Sequence, residues 1–248
     1  MPEKTVVTVK EIAQMLDHST LQPFLTQDDI RKGCDIALKY GTATVCARPG
    51  DMKLVAKCLE GSGVLPCTVI GFPHGNHRTD VKVFEAEKAL EDGCRELDTV
   101  INIGKVIAGD EAFVEDETAR LSALAHRENA ILKVILETCF LTDEQIVAAC
   151  RVCERAGADF VKTSTGYGKA GAAPHHVALM RASVSERVRV KASGGIHHLD
   201  EVLAYRLLGA SRCGVSATVQ IMEEALERDR NGGLFLPEKA DVLPGEGY

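Results

Sequence analysis

A closed (β/α)8 barrel, the TIM-barrel form of the α/β class, is the fold this sequence predicts, on three observations. Short apolar, β-branched segments alternate with amphipathic helical segments eight times along the chain. The connections between them are a few residues long, and none reads as an inter-domain linker. The chain has 248 residues, the size of one such barrel. An open doubly wound sheet would carry a Gly-rich nucleotide turn after an early strand, and no such turn is present. Residues 1–248 therefore read as one domain, with a short N-terminal helix and a flexible tail from about Gly232.

Taken in order, 10–16 reads as a brief helix capped by Thr8, and Leu16-Asp17-His18-Ser19-Thr20-Leu21 as the first strand. Thr26 and Asp29 form a capping-box signal for a helix that runs to Tyr40 and stops at Gly41. Residues 42–47 are β-branched and short, hence a strand; Arg48-Pro49-Gly50 then opens a helix to about Leu59. The strand over 65–70 leads into a turn-rich loop, Gly71 to His77. A helix over 79–92 ends before Gly93, and a strand over 95–101 carries Asp98 in its middle. Residues 110–128 read as helix and 131–137 as strand, with Lys133 near its start. Thr142 and Gln145 signal a second capping box, whose helix reaches Arg155 ahead of Gly157. The sixth strand, 159–161, delivers Lys162, and a helix follows over 174–184. The seventh carries Lys191 before a helix over 198–208. The eighth, 211–215, precedes a last helix over 216–229.

Composition narrows the function. Hydrophobic residues make up 45% of the chain, enough for a sizeable core, and no apolar run is long enough to span a bilayer. The N-terminus lacks the layout of a signal peptide. Nine cysteines at irregular spacing then read as reduced thiols of a cytoplasmic protein. A net charge of −7 and 4% aromatic residues argue against a nucleic-acid surface.

The chemistry concentrates at strand ends. Lysine is seldom buried without a partner, yet two successive strands end in one, Lys162 before Thr163-Ser164-Thr165-Gly166 and Lys191 before Ala192-Ser193-Gly194-Gly195. Adjacent parallel strands lie about 4.8 Å apart. Two ammonium groups about 5 Å apart at an effective dielectric near 20 repel by about 3 kcal/mol. With desolvation, that brings one of them from about 10.4 down to about 7–8, where a neutral amine attacks carbonyls and forms a Schiff base. Which of the two is the nucleophile, geometry alone leaves open. Asp98 is either a counter-ion to Lys133 or Lys191 or a proton shuttle. Gly194-Gly195 after strand seven and Gly214-Val215-Ser216 after strand eight occupy the positions where barrels bind phosphate through backbone N–H groups. A zinc site is the main competitor: His74 and His77 share a loop, and His175-His176 and His197-His198 are adjacent. Adjacent histidines diverge, however, and no helical i, i+4 pair has a third ligand. Cys150 and Cys153 fall inside an amphipathic helix and read as core.

These segments together resemble the deoxyribose-phosphate aldolase family, class I aldolases with a (β/α)8 barrel. The likeness rests on Leu16-Asp17-His18-Ser19-Thr20-Leu21, Val45-Cys46, Val69-Ile70-Gly71-Phe72-Pro73-His74-Gly75, Glu96-Leu97-Asp98, Lys133-Val134-Ile135-Leu136-Glu137-Thr138 and the two lysine segments, across nearly the whole barrel. The resemblance implies reversible cleavage of 2-deoxy-D-ribose 5-phosphate to acetaldehyde and D-glyceraldehyde 3-phosphate. It implies Lys162 as nucleophile, Lys191 as the lysine that lowers its pKa, and Asp98 as a proton relay through water. Gly166, Gly194, Gly195, Gly214 and Ser216 would hold the phosphate, and Ser19, Cys46 and Thr165 would line the substrate's middle. It implies a phosphorylated sugar as the partner, no metal or other cofactor, and a homodimer or higher homo-oligomer. Tyr248, at the end of the chain, matches a tyrosine credited in some members with proton exchange at the enamine carbon. The chain departs from the family at Ser19, where threonine is usual, and at Ala217, where a second serine occurs. Tyr167 stands where some members carry a phosphate-facing lysine, so Lys169 is expected to substitute. Two other readings compete: a catalytically silent barrel that binds phosphosugars, and a Schiff-base aldolase for ketose bisphosphates. The first leaves the two lysines unexplained, and the second lacks a basic cluster for a second phosphate.

Overall fold

The structure, a computed structural model, describes residues 5–242 and residue 245. Eight parallel strands close into a barrel: β1 (Leu16–Thr20), β2 (Thr44–Ala47), β3 (Leu65–Ile70), β4 (Glu96–Val100), β5 (Ile131–Ile135), β6 (Phe160–Lys162), β7 (Arg189–Ser193) and β8 (Ala210–Val215). Each pairs with the next, and β8 returns to β1 through Leu16↔Cys213 and Asp17↔Gly214. This is the (β/α)8 architecture expected from the eightfold alternation.

Strand alternation divides the chemistry. On β5 to β7 the valines Val134, Val161 and Val190 lie in register and pack outward in one apolar cluster with Ile146, Val177 and Leu203 of the covering helices. Their neighbours Lys133, Lys162 and Lys191 therefore point into the barrel. Helix entry follows local chemistry. Thr8 with Glu11, Thr26 with Asp29, and Thr142 with Gln145 all form reciprocal capping boxes, which satisfy backbone N–H groups that the first helical turn leaves free.

Several elements differ from the sequence reading. A short helix, Ile103–Ile107, follows β4; the Asn102 side chain caps it by accepting from Lys105 N, a signal masked by Gly104. The segment after Arg48 begins as a 3-10 turn, Pro49–Asp51, before the α-helix Met52–Cys58. The last helix starts at Thr218 rather than Ser216. Beyond Gly232, expected as tail, Leu234–Phe235 pairs antiparallel with Val6–Val7, because burying Leu234 and Val7 in the core outweighs the glycine-rich approach. Gly245 exchanges backbone hydrogen bonds with Gly171 and Ala172 at 2.6 Å.

Thr26→Ala is expected to lower unfolding stability by about 1 kcal/mol through loss of the cap on Gln27–Tyr40. Urea denaturation reads this directly, and an unchanged midpoint would count against the capping account.

Candidate active site

Inward positions on the eight strands stack in levels. By alternation, odd strands supply Asp17, Cys67, Lys133 and Lys191. Even strands supply Thr44, Glu96, Phe160 and Arg212 below them, and Cys46, Asp98, Lys162 and Gly214 above. A barrel interior normally holds branched apolar residues at these levels; here most are charged.

The charges are matched contact by contact. Asp98 Oδ2 accepts from Lys162 Nζ at 2.8 Å and from Lys191 Nζ at 2.7 Å, while its Oδ1 accepts from Lys133 Nζ at 2.7 Å. Lys191 also pairs with Asp17 at 2.6 Å. Lys133 pairs with Glu96 at 2.5 Å and approaches Asp17 across the axis at 3.7 Å. Arg212 bridges Asp17 at 2.6 Å and Glu96 at 3.3 Å, and the Arg189 guanidinium stacks 4.1 Å from the Phe160 ring.

Burial would push the Asp98 carboxyl up, but Lys133, Lys162 and Lys191 together hold it well below the usual carboxylate range. Asp17 behaves alike: burial raises it, and Lys191, Lys133 and Arg212 bring it below its ordinary value. For Lys191, burial acts downward, but Asp17 and Asp98 outweigh it and hold the ammonium above the usual lysine range. Of the two lysines, Lys191 is therefore not the one lowered. Two bare ammonium groups would repel, but the Asp98 carboxylate lies between them.

Above this floor lies a cavity of about 230 Å³. Lys162 and Lys191 reach it from below. Ser19, Cys46 and Thr165 line it, as do Gly166, Gly194, Gly195, Gly214 and Ser216. Gly194 and Gly195 have φ of 90° and 70°, a left-handed backbone that favours glycine. Tyr205, buried in a covering helix, donates to Ala172 O at 2.8 Å and anchors the loop after β6. Lys169, expected to face the phosphate, does not line the cavity; its Nζ stands 5.5 Å from the centroid of the Phe140 ring, held there by a cation–π contact. Tyr248 lies outside the described residues.

Sequence reasoning gave no role to Asp17, Glu96, Arg212 or Glu137. For the first three a signal existed. Asp17, Glu96 and Arg212 lie two residues before Ser19, Asp98 and Gly214, and residues two apart share a strand face. The candidate zinc histidines form no ligand-like group among the described residues. Cys46, Cys67 and Asp98 are close enough to hold a metal, but Asp98 already accepts from three ammonium groups, which oppose a cation there.

The chain matches the model of the DeoC/LacD family aldolases over residues 11–218. It is 45% identical over 215 residues to the deoxyribose-phosphate aldolase of Rhodopirellula baltica, covering 87% of this chain and 89% of that one. It is 47% identical over 217 residues to the deoxyribose-phosphate aldolase of Thermococcus gammatolerans, covering 87% and 96%. Among solved structures it resembles the deoxyribose phosphate aldolase of Aeropyrum pernix, described as tetrameric, with a TM-score of 0.81, 32% identity and coverage of 87% and 91%. It also resembles an aldolase called QR15, with a TM-score of 0.84, 36% identity and coverage of 89% and 98%.

Asp98→Asn removes the carboxylate that three lysines share and is expected to cost about 3–5 kcal/mol at pH 7. Because the folded pKa of Asp98 is depressed, the wild-type advantage is present above its unfolded value of about 3.9 and is lost as pH falls through the folded value. The raised pKa of Lys191 acts at the other end: its contribution is present below about 10.4 and is lost as pH rises through the folded value. Denaturant titrations of both proteins from pH 7 toward pH 3 check the acid limb. A stability gap that stays constant in acid would contradict it.

Proposed function

The chain belongs to the DeoC/LacD aldolase family, and from that we propose that it is a deoxyribose-phosphate aldolase, one catalytic domain over residues 1–248. It reversibly cleaves 2-deoxy-D-ribose 5-phosphate to D-glyceraldehyde 3-phosphate and acetaldehyde through a Schiff base on Lys162. The observation that carries the assignment of the nucleophile is the charge balance beneath the cavity.

Four cations, Lys133, Lys162, Lys191 and Arg212, are linked by ion pairs to three carboxylates, Asp17, Asp98 and Glu96. Discharging one cation balances the cluster. Lys191 and Arg212 each hold two carboxylates and Lys133 holds three, whereas Lys162 holds only Asp98. Lys162 is thus the amine whose discharge breaks the fewest ion pairs, and it borders the cavity.

The neutral amine attacks the aldehyde carbon of the open-chain sugar, and loss of water gives an iminium ion. The iminium draws the electrons of the C2–C3 bond toward nitrogen as the C3 hydroxyl gives up its proton, releasing D-glyceraldehyde 3-phosphate. The enamine left behind takes a proton at C2, and water then frees acetaldehyde and Lys162. The protonated imine is the electron sink. Asp98 and the fixed cation Lys191 exchange and stabilise protons around it, with Asp98 acting through water. Ser19, Cys46 and Thr165 contact the sugar's middle. The backbone N–H groups around Gly166, Gly194, Gly195 and Gly214, with the Ser216 hydroxyl, bind the phosphate.

We also read the protein as a cytoplasmic homo-oligomer. The tetrameric Aeropyrum pernix relative supports oligomerisation, and light scattering tests it. All nine cysteines are free thiols, seven of them buried, which supports a reducing compartment. Among the described residues no helix is long and apolar enough to cross a membrane.

Incubation with deoxyribose 5-phosphate is expected to release acetaldehyde, and borohydride is expected to trap an adduct on Lys162 that Lys162→Ala lacks. Lys191→Met should slow turnover at least about a hundredfold. Binding without turnover would favour the silent phosphosugar-binding barrel. Activity should survive prolonged EDTA treatment; loss restored by zinc would return the His74/His77 loop to the centre of the chemistry.

A further inference from the structure

Glu137 has no part in the chemistry above, yet its placement is unusual. It follows β5 at the cavity end of the barrel with φ 55° and ψ 60°, a left-handed backbone that is uncommon for residues other than glycine and gathers at functional sites. Its side chain is buried, and burial pushes its carboxyl up against the hydrogen bonds from Thr165 that pull it down.

Its N–H and O–H donors belong to one cavity-lining residue, and the Cys139 thiol stands farther off, 4.0 Å from Oε1. Thr165 N–H donates to Oε1 and Oε2 at 3.2 and 3.3 Å, and the Thr165 hydroxyl makes a short hydrogen bond to Oε2. Tyr167 N–H donates to Thr165 Oγ1 at 2.9 Å. Gly168 closes over the carboxylate: a Cβ there would meet Glu137 Oε1 at 3.1 Å and Cys139 Sγ at 2.9 Å. The arrangement is locked from both sides.

A hydroxyl has one proton and two lone pairs. As a carboxylate Glu137 can only accept, and its Oε2 lies in hydrogen-bond contact with the Thr165 hydroxyl, so the Thr165 proton is directed to Oε2. One lone pair takes the Tyr167 N–H, and a single lone pair remains for the cavity that Thr165 lines. Toward substrate, Thr165 can only accept. A substrate hydroxyl can donate to it; a methylene cannot, and would leave it unpaired.

We propose that Glu137 is a positioning residue that commits the Thr165 proton and so makes Thr165 a one-way acceptor, selecting acceptor aldehydes that carry a hydroxyl over their deoxy counterparts. The inference rests on the aldolase reading above and deepens its account of specificity.

The test runs the reaction in the synthetic direction, adding acetaldehyde to D-glyceraldehyde 3-phosphate or to 3-oxopropyl phosphate, the same acceptor without its hydroxyl. The wild type is expected to prefer the hydroxylated acceptor in kcat/KM by at least about tenfold. In Glu137→Gln the shape is kept, but the side-chain amide offers an N–H to Thr165 Oγ1 and frees the threonine proton. The preference is expected to collapse to within about threefold of unity. Thr165→Val should show the same collapse, and the double variant should lose no more than Thr165→Val alone. Thermal melts of each variant confirm folding, and Thr165→Val keeps the test alive should Glu137→Gln fold poorly. A Glu137→Gln enzyme that loses rate equally on both acceptors, or double-variant losses that multiply, would overturn the inference and leave a structural role. A wild type that turns over neither acceptor sinks the aldolase reading and this inference with it, whereas wild-type turnover with an unaltered preference in Glu137→Gln sinks this inference alone.

Discussion

The Asp98 carboxylate is the constraint on which the rest of this site depends. Fully buried, it would face a large desolvation penalty alone, several kcal/mol per ion even after relaxation. Three ammonium groups within 2.8 Å of its two oxygens reverse that. Each of those lysines would in turn be costly to bury unpaired. The partners cannot be treated separately: removing one leaves the others with charge that the barrel interior cannot solvate. The β-barrel makes such a cluster possible, because inward positions from eight different strands converge on one axis. Groups far apart in sequence, such as Asp17 and Arg212, then meet at 2.6 Å.

The floor and the walls divide the work differently. The floor is electrostatic, and on the proposed mechanism its net charge selects the amine that reacts. The wall is directional, and on the inference above its hydrogen bonds select what binds. Glu137 and Thr165 connect the two, since Lys162 acts electrostatically on the Glu137 carboxyl while that carboxyl orients a hydroxyl three residues beyond the lysine.

Much of this was legible in the sequence, for reasons that also mark where legibility stops. Lysines at the ends of two successive strands announce themselves because charge is rare there, and the glycine turns after β7 and β8 are fixed by chain order. The capping boxes at Thr26 and Thr142 are local and needed no tertiary knowledge. Period-two alternation would have turned Asp17, Glu96 and Arg212 inward as well. What it could not give is who meets whom across the axis, because that depends on the stagger of the closed sheet. Lys162 and Lys191 taken as a pair therefore leave out the Asp98 carboxylate between them, which helps hold Lys191 above the usual lysine range. The left-handed Glu137 backbone and the Lys169 contact with Phe140 arise from tertiary packing and have no sequence pattern of their own.

The displacement of Lys169 has a physical logic in terms of the floor. A lysine facing the phosphate would add a like charge to the cavity that Lys162 borders, and like charges in a partly desolvated site repel. Backbone N–H groups at Gly194 and Gly195 offer phosphate the same kind of hydrogen bond without a net charge. On the proposed reading, a phosphate end built from glycine turns would receive an anion while leaving the charge balance around Lys162 to Asp98, Lys133 and Lys191. The arriving phosphate, and not a resident lysine, would then be the main new charge that the floor feels. On the proposed mechanism, its negative charge would favour the protonated imine on Lys162 at the step where that cation draws electrons from the C2–C3 bond.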